Sequence, residues 1–401
     1  MRLPVFSLAV GAFGIGMTEF VAMGLLPDIA TSLHVSITAA GLLISAYALG
    51  VVVGAPTLAA LTRHLKPKPV LTLLMALFTL GNLLSAVAPS YPLLMLTRLL
   101  SGLPHGAFFG VGAVVAARLA PRGREAQTMA LVFLGLSFAN VVGVPFGTWL
   151  GQTFSWRVTF AVVALIGVLS ALGVWRWIPD LDNNQAGGLR QQLRAFRNPQ
   201  LWRIMAVTVI GFGSMFAAFS YVAPLMTEVA GFRAAAVTPI LMVAGLGMMA
   251  GNLIGGRVAD RAPRRATLAL LAALAAILVV LSFAAHGPVT AVVTLFLFTT
   301  IAFSLASPLQ LITLQSARGA ETLAAATNQS AFNLANALGA FLGGLPIAAG
   351  YGYTASALVG AGLAVAGLLI ALGLRDAPRP SLQPAEAPTA PAYARGGSGG
   401  A

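Results

Sequence analysis

The stretch AVGAFGIGMTEFVAMGLL, residues 9–26, places a single carboxylate, Glu19, in an otherwise uncharged apolar run. A helix of roughly 20 such residues crosses a lipid bilayer. The composition extends this to the whole chain, because 58% of its 401 residues are hydrophobic and only 8% are charged. Soluble domains average about 45–50% apolar and about 25% charged residues. The sequence therefore predicts an all-α membrane protein, since helices satisfy their own backbone hydrogen bonds in lipid.

Similar apolar runs recur along the chain and predict twelve membrane-spanning helices. We expect them at residues 6–27, 38–61, 69–87, 92–117, 128–150, 158–178, 203–227, 235–257, 266–284, 288–314, 323–346 and 352–374. The longest polar break predicts a division into an N-terminal six-helix bundle (1–179), a cytoplasmic linker (180–200) and a C-terminal six-helix bundle (201–376). The linker segment LRQQLRAF, 189–196, predicts a short basic amphipathic helix on the membrane surface. A Pro-, Ala- and Gly-rich tail at 377–401 is expected to be disordered.

The basic residues predict the orientation in the membrane. With both termini in the cytoplasm, 20 of the 23 Lys and Arg residues lie in cytoplasmic loops and termini, only Arg157 and Arg233 lie outside, and Arg98 lies within a span. This asymmetry follows the positive-inside rule and predicts that both termini are cytoplasmic. The net charge of +13 is then explained by contact with anionic lipid headgroups, and no nucleic-acid partner is expected.

The residues inside the spans argue against an enzyme. The chain has no cysteine, and its spans contain no metal-ligand spacing, no Asp/His cluster and no nucleotide-binding loop. We therefore expect no metal and no cofactor. A channel or receptor of twelve helices remains an alternative, which saturable flux would separate from a carrier.

The two sets of six helices look like copies of each other. A shift of 197 residues relates Pro27 to Pro224, Gly50 to Gly247 and Gly54 to Gly251. A shift of 196 lays the pattern Ala-Asn-x-x-Gly-x-x-x-Gly of residues 139–147 on residues 335–343. Repeats of six helices with a binding site between them are typical of secondary transporters.

Several motifs resemble those of the major facilitator superfamily, in particular its bacterial drug and sugar efflux branch. They are GGRVADRAPRR (255–265), RLLSGLPHGAFFG (98–110), GLSFANVVGVPFGTWLGQ (135–152), TEFVAMGLLPDIA (18–30) and NQSAFNLANALGA (328–340). The resemblance implies a monomeric multi-pass protein of the bacterial inner membrane. It implies export of a small molecule, a sugar or an amphipathic drug such as chloramphenicol, in exchange for protons, with a proton-independent facilitator as the alternative.

The resemblance also assigns roles to the loop at 255–265. It implies a gating function for a set of five residues: Gly256, Asp260, Arg261, Arg264 and Arg265. The alternative is a simple turn capped by Asp260. In the first half the shift of 197 places Arg63 opposite Asp260, so the acidic residue is absent there and other contacts must gate that half.

Glu19 is the candidate proton carrier because an ionisable side chain in mid-membrane is costly and usually faces a polar interior. Arg98 lies at a similar depth, since each residue is about 12 Å from the outer surface at 1.5 Å per residue. The pair therefore predicts a proton-coupling site, with a permanent structural ion pair as the alternative. His105 is a second candidate: a proton site, a cargo hydrogen-bond partner, or a packed residue bonded to a backbone carbonyl freed by Pro104.

Other polar residues within the spans are candidates for cargo binding, because amides and tyrosines offer hydroxyl partners to a sugar. They are Tyr47, Asn140, Tyr221, Gln310, Gln329 and Asn333. Asn140 and Asn336, equivalent in the repeats, are also candidates for interhelical hydrogen bonds. Four residues of the fifth span, Gly135, Gly143, Pro145 and Gly147, predict close packing and a bend.

Overall fold

The computed structural model describes residues 2–62, 64–121, 124–182, 197–317 and 321–375. Twelve of its helices are long and apolar enough to cross a membrane, which confirms the predicted all-α class and the predicted number. They are α1 (Arg2–Gly24), α2 (Ile37–Thr62), α3 (Pro67–Ala86), α4 (Tyr91–Arg118), α5 (125–153), α6 (Trp156–Trp177), α7 (199–219), α8 (Val237–Arg261), α9 (Pro263–Ala284), α10 (Pro288–Ser316), α11 (Glu321–Ala348) and α12 (Thr354–Leu372). The amphipathic helix and the disordered tail expected from the sequence lie outside the described residues.

Two spans end earlier than expected because a proline interrupts each of them. α1 ends at Gly24, and a separate helix, Leu26–Leu33, carries Pro27 near its start. α7 ends with the segment Gly213–Phe219, and the short turns Val222–Pro224 and Leu225–Val229 follow. Proline lacks the N–H that a continuing helix would use, so the two equivalent prolines end the two equivalent spans.

α5 and α7 each contain a wide π-helical turn. In α5 the turn Ala139–Gly143 separates the segments Glu125–Phe138 and Val144–Thr153. Pro145 is the second residue after the turn, and the wider turn accommodates the backbone carbonyl that the proline leaves without its usual donor. In α7 the turn spans Val207–Phe212. The bend predicted for the fifth span stays a prediction, and the structure places a π-helical turn in that span.

Backbone contacts confirm the internal repeat. A Cβ atom at Gly50 of α2 would collide with the carbonyl oxygen of Leu99 in α4, and one at Gly54 would collide with that of Leu103. The same contacts recur between α8 and α10, where Gly247 faces the carbonyl oxygen of Phe296, and Gly251 that of Thr300. Both pairs are related by the shift of 197 residues. The two halves therefore contain equivalent closely packed helix pairs, α2 with α4 and α8 with α10.

The two halves meet along α2–α11 and α5–α8. We call the side where α1 begins and α12 ends the terminal face, and the other side the opposite face. At the opposite face, a Cβ at Gly344 of α11 would lie 3.7 Å from Thr38 Cγ2 of α2, and a Cβ at Gly24 would lie 2.8 Å from Leu241 Cδ1 of α8. Phe20 and Phe219 meet edge to face there with centroids 6.3 Å apart. These contacts close the cleft between the halves at the opposite face.

Candidate functional site

Glu19 lies where α1 meets the second half of the chain. Its side chain is buried, with 7% of the residue exposed, and its Oε1 atom accepts a hydrogen bond from Asn336 Nδ2 of α11 at 3.4 Å. Next to it, Ser45 of α2 donates to the carbonyl oxygen of Ala337 at 2.9 Å. The lone intramembrane carboxylate therefore forms part of the contact between the halves.

Arg98 is fully buried on α4, but it does not pair directly with Glu19. Its Nη1 and Nη2 atoms donate to Thr18 Oγ1 and to the Thr18 carbonyl oxygen, both at 3.0 Å. The guanidinium also stacks 4.5 Å from the ring centroid of Tyr47 and 5.3 Å from that of Phe160. Within the described chain the ion pairs within 4.0 Å do not include Glu19 and Arg98. The alternative of a permanent ion pair is therefore wrong for this structure, and the proton-coupling role stays a prediction, since the two groups interact electrostatically without direct contact.

Thr18 holds Arg98 through a fixed hydroxyl. Its Oγ1 donates to Asn82 Oδ1 of α3 at 2.6 Å, and Asn82 Nδ2 donates to the carbonyl oxygen of Phe78 at 2.9 Å. The hydroxyl proton is thereby committed to Asn82, so its oxygen lone pairs point to the guanidinium. Sequence reasoning did not single out Thr18 or Asn82. The available signal was that both are polar residues in predicted spans at the depth of Glu19.

His105 connects the two halves through a second polar chain. Its Nδ1 atom lies 3.1 Å from the Tyr47 hydroxyl of α2, and its Nε2 atom lies 3.5 Å from Gln329 Nε2 of α11. An amide nitrogen only donates, so His105 Nε2 accepts in this arrangement. The imidazole bonds to a side chain rather than to a backbone carbonyl freed by Pro104, so the packed-residue alternative is wrong in that detail.

A polar face of α11 lines the cleft towards the first half. Gln329, Asn333 and Asn336 recur at the spacing of one helix face. Asn333 Nδ2 donates to the Gln329 carbonyl oxygen of its own helix at 3.0 Å. Among the described residues, the buried Oδ1 atoms of Asn333, Asn336 and Asn140 have no hydrogen-bond partner. Buried acceptors are normally paired, so each of these three side chains has an unused acceptor.

Aromatic rings cover the same region on the side of the second half. Phe20 of α1 stacks on Phe216 of α7 with centroids 6.2 Å apart, and Phe212 meets Phe332 of α11 edge to face at 4.8 Å. The candidate site thus combines a polar α11 face with an apolar wall, as small-molecule sites commonly do.

Three of the predicted cargo residues have their contacts away from Glu19, Arg98 and His105. Tyr221 donates to the carbonyl oxygen of Ala340 at 2.8 Å within the closure at the opposite face. Gln310 of α10 accepts from Asn328 of α11 within the second half. Asn140 sits in the π-helical turn of α5, where its carbonyl oxygen closely approaches Gly245 of α8. The structure therefore groups Tyr47 and Gln329 with Arg98 and His105, places Asn333 on the same face of α11 as Gln329 and Asn336, and gives the other three different partners.

In the loop at 255–265, Asp260 does not cap the turn, which was the alternative to a gating role. Asp260 is exposed in the last turn of α8, and the start of α9 has no side-chain cap. Within the described residues its carboxylate has no hydrogen bond or ion pair, so the turn-cap alternative is not supported. Arg264 donates from Nε to the Leu374 carbonyl oxygen at 2.7 Å, which ties α9 to the end of α12. Arg261 and Arg265 are exposed, and Gly256 has open space beside it.

In the first half, two acidic residues after α6 interact with three basic residues at the terminal face. Lys66 Nζ lies 3.4 Å from Asp182 Oδ1, and Lys68 Nζ lies 3.8 Å from Asp180 Oδ1. Arg118 donates to the Asp182 carbonyl oxygen at 2.6 Å. Exposed pairs of this kind contribute about 0–1 kcal/mol each, so they add little to the stability of the loop conformation. Arg63 lies outside the described residues.

The glycines of α5 pack against α1. Gly135 closely approaches the carbonyl oxygen of Ala9, a Cβ at Gly143 would lie 2.9 Å from the Phe13 ring, and one at Gly147 would lie 2.6 Å from Met17 Cε. A larger residue at Gly135 would meet the backbone of α1 and push α5 away from the helix that carries Glu19.

Relatives with known names cover most of the chain. The sequence is 42% identical over 372 residues to the inner membrane transport protein YdhP of Escherichia coli (strain K12), covering 93% of this chain and 95% of that protein. It is 34% identical to the chloramphenicol resistance protein of Streptomyces lividans, covering 93% and 95%. It is 32% identical to a probable sugar efflux transporter of Helicobacter acinonychis (strain Sheeba), covering 86% and 88%.

A solved structure shares the fold. The D-xylose-proton symporter superposes with a TM-score of 0.76 at 15% identity, covering 94% of this chain and 98% of that one. Residues 8–328 match the family described as Major Facilitator Superfamily. With its twelve spans and a relative named as an inner membrane transport protein, this chain is a multi-pass inner-membrane transporter rather than an enzyme, and it belongs to the Major Facilitator Superfamily.

Proposed function

We propose that this transporter exports a small molecule in exchange for protons by alternating access of the cleft between its halves. The observation that carries the proposal is the position of Glu19, a buried carboxylate that touches the other half of the protein through Asn336. Glu19 therefore lies at the contact that must break when the cleft opens at the opposite face.

Glu19 is the proposed proton carrier. Burial makes its ionised form costly, and the nearby Arg98 guanidinium offsets part of that cost. Because Thr18, not Glu19, holds Arg98 in place, Glu19 can gain or lose a proton without releasing the arginine. His105, which bridges Tyr47 and Gln329, is the second candidate for proton coupling or for cargo recognition.

The cargo is proposed to bind between the α11 face and the aromatic wall. Tyr47, Gln329 and Asn333 would supply polar contacts, and Asn140, Tyr221 and Gln310 would border the site. The unpartnered amide oxygens suit cargo with hydroxyl or amide donors, and the rings of Phe212 and Phe216 suit an apolar part. A sugar and an amphipathic drug such as chloramphenicol are therefore both to be tested.

The terminal face is proposed to be cytoplasmic because it carries nearly all basic residues. The closure at the opposite face then lies on the outer side of the membrane. Opening the other way would also involve the loop residues Gly256, Asp260, Arg261, Arg264 and Arg265, the proposed gate of the second half. Entry of one proton at about 150 mV supplies roughly 3.5 kcal/mol, enough for a gradient of a few hundredfold of a neutral solute.

The test uses purified protein in liposomes that contain a pH-sensitive dye. Arabinose, a thiogalactoside and chloramphenicol are added in turn to wild type, Glu19→Gln and the control Glu228→Gln, which removes an exposed carboxylate at the opposite face. We expect one cargo to evoke proton movement in wild type and in Glu228→Gln, and none in Glu19→Gln. Cargo flux without proton movement in wild type would instead make the protein a facilitator, and retained coupling in Glu19→Gln would remove Glu19 from the carrier role.

A further inference from the structure

We propose that Asn336 is a positioning residue that keeps the opposite face closed whether Glu19 is ionised or protonated. The inference rests on the proposed role of Glu19 as the proton carrier. An exporter driven by protons passes through the closed arrangement both before and after Glu19 loses its proton. The contact between the halves must therefore hold in both protonation states.

The two atoms of the Asn336 amide are used differently in the structure. Nδ2 donates to Glu19 Oε1 at 3.4 Å, which matches an ionised carboxylate that only accepts. Oδ1 is buried and has no partner among the described residues. The side chain thus has one unpaired acceptor atom close to the carboxylate.

Rotation of the amide by half a turn exchanges the two atoms. Oδ1 would then face Glu19 and accept the O–H of a protonated carboxyl group. The torsion that carries out this exchange is broad and roughly two-fold, so both orientations are available to asparagine. Neither a carboxylate nor an aliphatic side chain at position 336 can pair with both forms of Glu19, because the first only accepts unless protonated and the second does neither.

The ionisable groups nearest to Glu19 lie in its own half of the chain. Arg98 of α4 and Tyr47 of α2 interact with it electrostatically, and His105 touches Tyr47. Arg98 and Tyr47 belong to the same half as Glu19 and do not cross the cleft. The other ionisable residues of the described parts of α5, α6, α7, α8 and α11 lie towards the ends of those helices.

The experiment measures closure of the opposite face directly. The chain has no cysteine, so Thr31→Cys and Ala235→Cys place spin labels on two exposed positions of that face, one in each half, without background. Distance distributions between the labels are recorded at pH 5.5 and pH 8.5 in wild type and in Asn336→Asp. Asn333→Asp is the matched control, because it adds a carboxylate one turn away on the same helix face, where the structure has no contact with Glu19.

In Asn336→Asp we expect the ratio of closed to open protein to fall at least tenfold more between pH 5.5 and pH 8.5 than in wild type or in Asn333→Asp. Two carboxylates face each other at high pH, whereas at low pH a protonated one donates to the other. Adding Glu19→Gln to Asn336→Asp restores an amide–carboxylate pair with the roles exchanged, and should reduce the pH effect to that of wild type.

The proposal is overturned if Asn336→Asp responds to pH no more than wild type, or if the double variant keeps the full response. Equal responses in Asn336→Asp and Asn333→Asp would also overturn it, since any buried carboxylate would then suffice. The measurement needs neither cargo nor a proton gradient. Failure of proton coupling in the liposome assay and failure of this inference are therefore separate results.

Discussion

Gly102→Ala tests whether the close packing of α2 against α4 maintains the site. Gly102 of α4 is buried, and a Cβ there would collide with the carbonyl oxygen of Tyr47 and lie 3.2 Å from Val51 N. Both are backbone atoms, so the helices must separate, by roughly an ångström given ordinary contact distances. Tyr47 would move with α2, and its 3.1 Å contact with His105 would lengthen beyond hydrogen-bonding range.

The magnitude follows from two opposing effects. Overpacking a tight contact costs about 1–3 kcal/mol, and replacing a helical glycine by alanine gains about 0.5–1 kcal/mol. We expect a net loss of about 1–2 kcal/mol in the free energy of unfolding together with slower transport. Gly110→Ala is the control on the same helix, since no atom lies within 4 Å of a Cβ at that position. Without the clash, it should gain about 0.5–1 kcal/mol and leave transport unchanged.

The assay is unfolding in mixed detergent micelles followed by tryptophan fluorescence, with flux measured on the same preparations. Opposite signs for the two variants are the expected result. If Gly102→Ala is as stable as Gly110→Ala and transports normally, then the close approach of the two helices is not what positions Tyr47, and the reasoning fails.

Two further predictions concern single side chains. Tyr47→Phe keeps the ring that stacks on Arg98 but removes the hydroxyl beside His105, so we expect flux to fall while stability changes by only about 1 kcal/mol, and unchanged flux would remove the hydroxyl from the site. Burial raises the pKa of Asp28, in the short helix after α1, above its usual value. Because the pKa is higher in the folded state, the protonated side chain favours folding. This stabilising effect is complete below the unfolded pKa of about 3.9 and is lost as pH rises and Asp28 ionises. Asp28→Asn should therefore match the Tm of wild type near pH 4 and exceed it increasingly towards pH 7, and a Tm difference that does not change with pH would contradict this.

The sequence predicted the scaffold better than the contacts of the site. Hydropathy and charge gave twelve spans, and the shift of 197 residues is confirmed by the matching contacts of Gly50 and Gly247. The ends of α1 and α7 were placed too late, because hydropathy continues across Pro27 and Pro224 while the backbone hydrogen bonding does not.

The pairing within the site was not predictable in the same way. Depth along the membrane placed Glu19 and Arg98 on one level, but hydropathy does not determine how each helix is rotated about its axis. Arg98 therefore faces Thr18, one residue before Glu19, while Glu19 itself faces Asn336 across the cleft. Asn336 was expected to form an interhelical hydrogen bond, and the structure gives it one, with the carboxylate as its partner.

The repeat seen in the glycine contacts of α2–α4 and α8–α10 does not extend to the ionisable residues of the site. The shift of 197 residues places Phe216 opposite Glu19, Leu295 opposite Arg98 and Ala302 opposite His105. The duplicated halves share their architecture, but only the first carries ionisable groups at these depths. In a cycle driven by protons, the electric field across the membrane would therefore act on the charges of the first bundle. The second bundle has no charge at these depths and would move only through its contacts with the first.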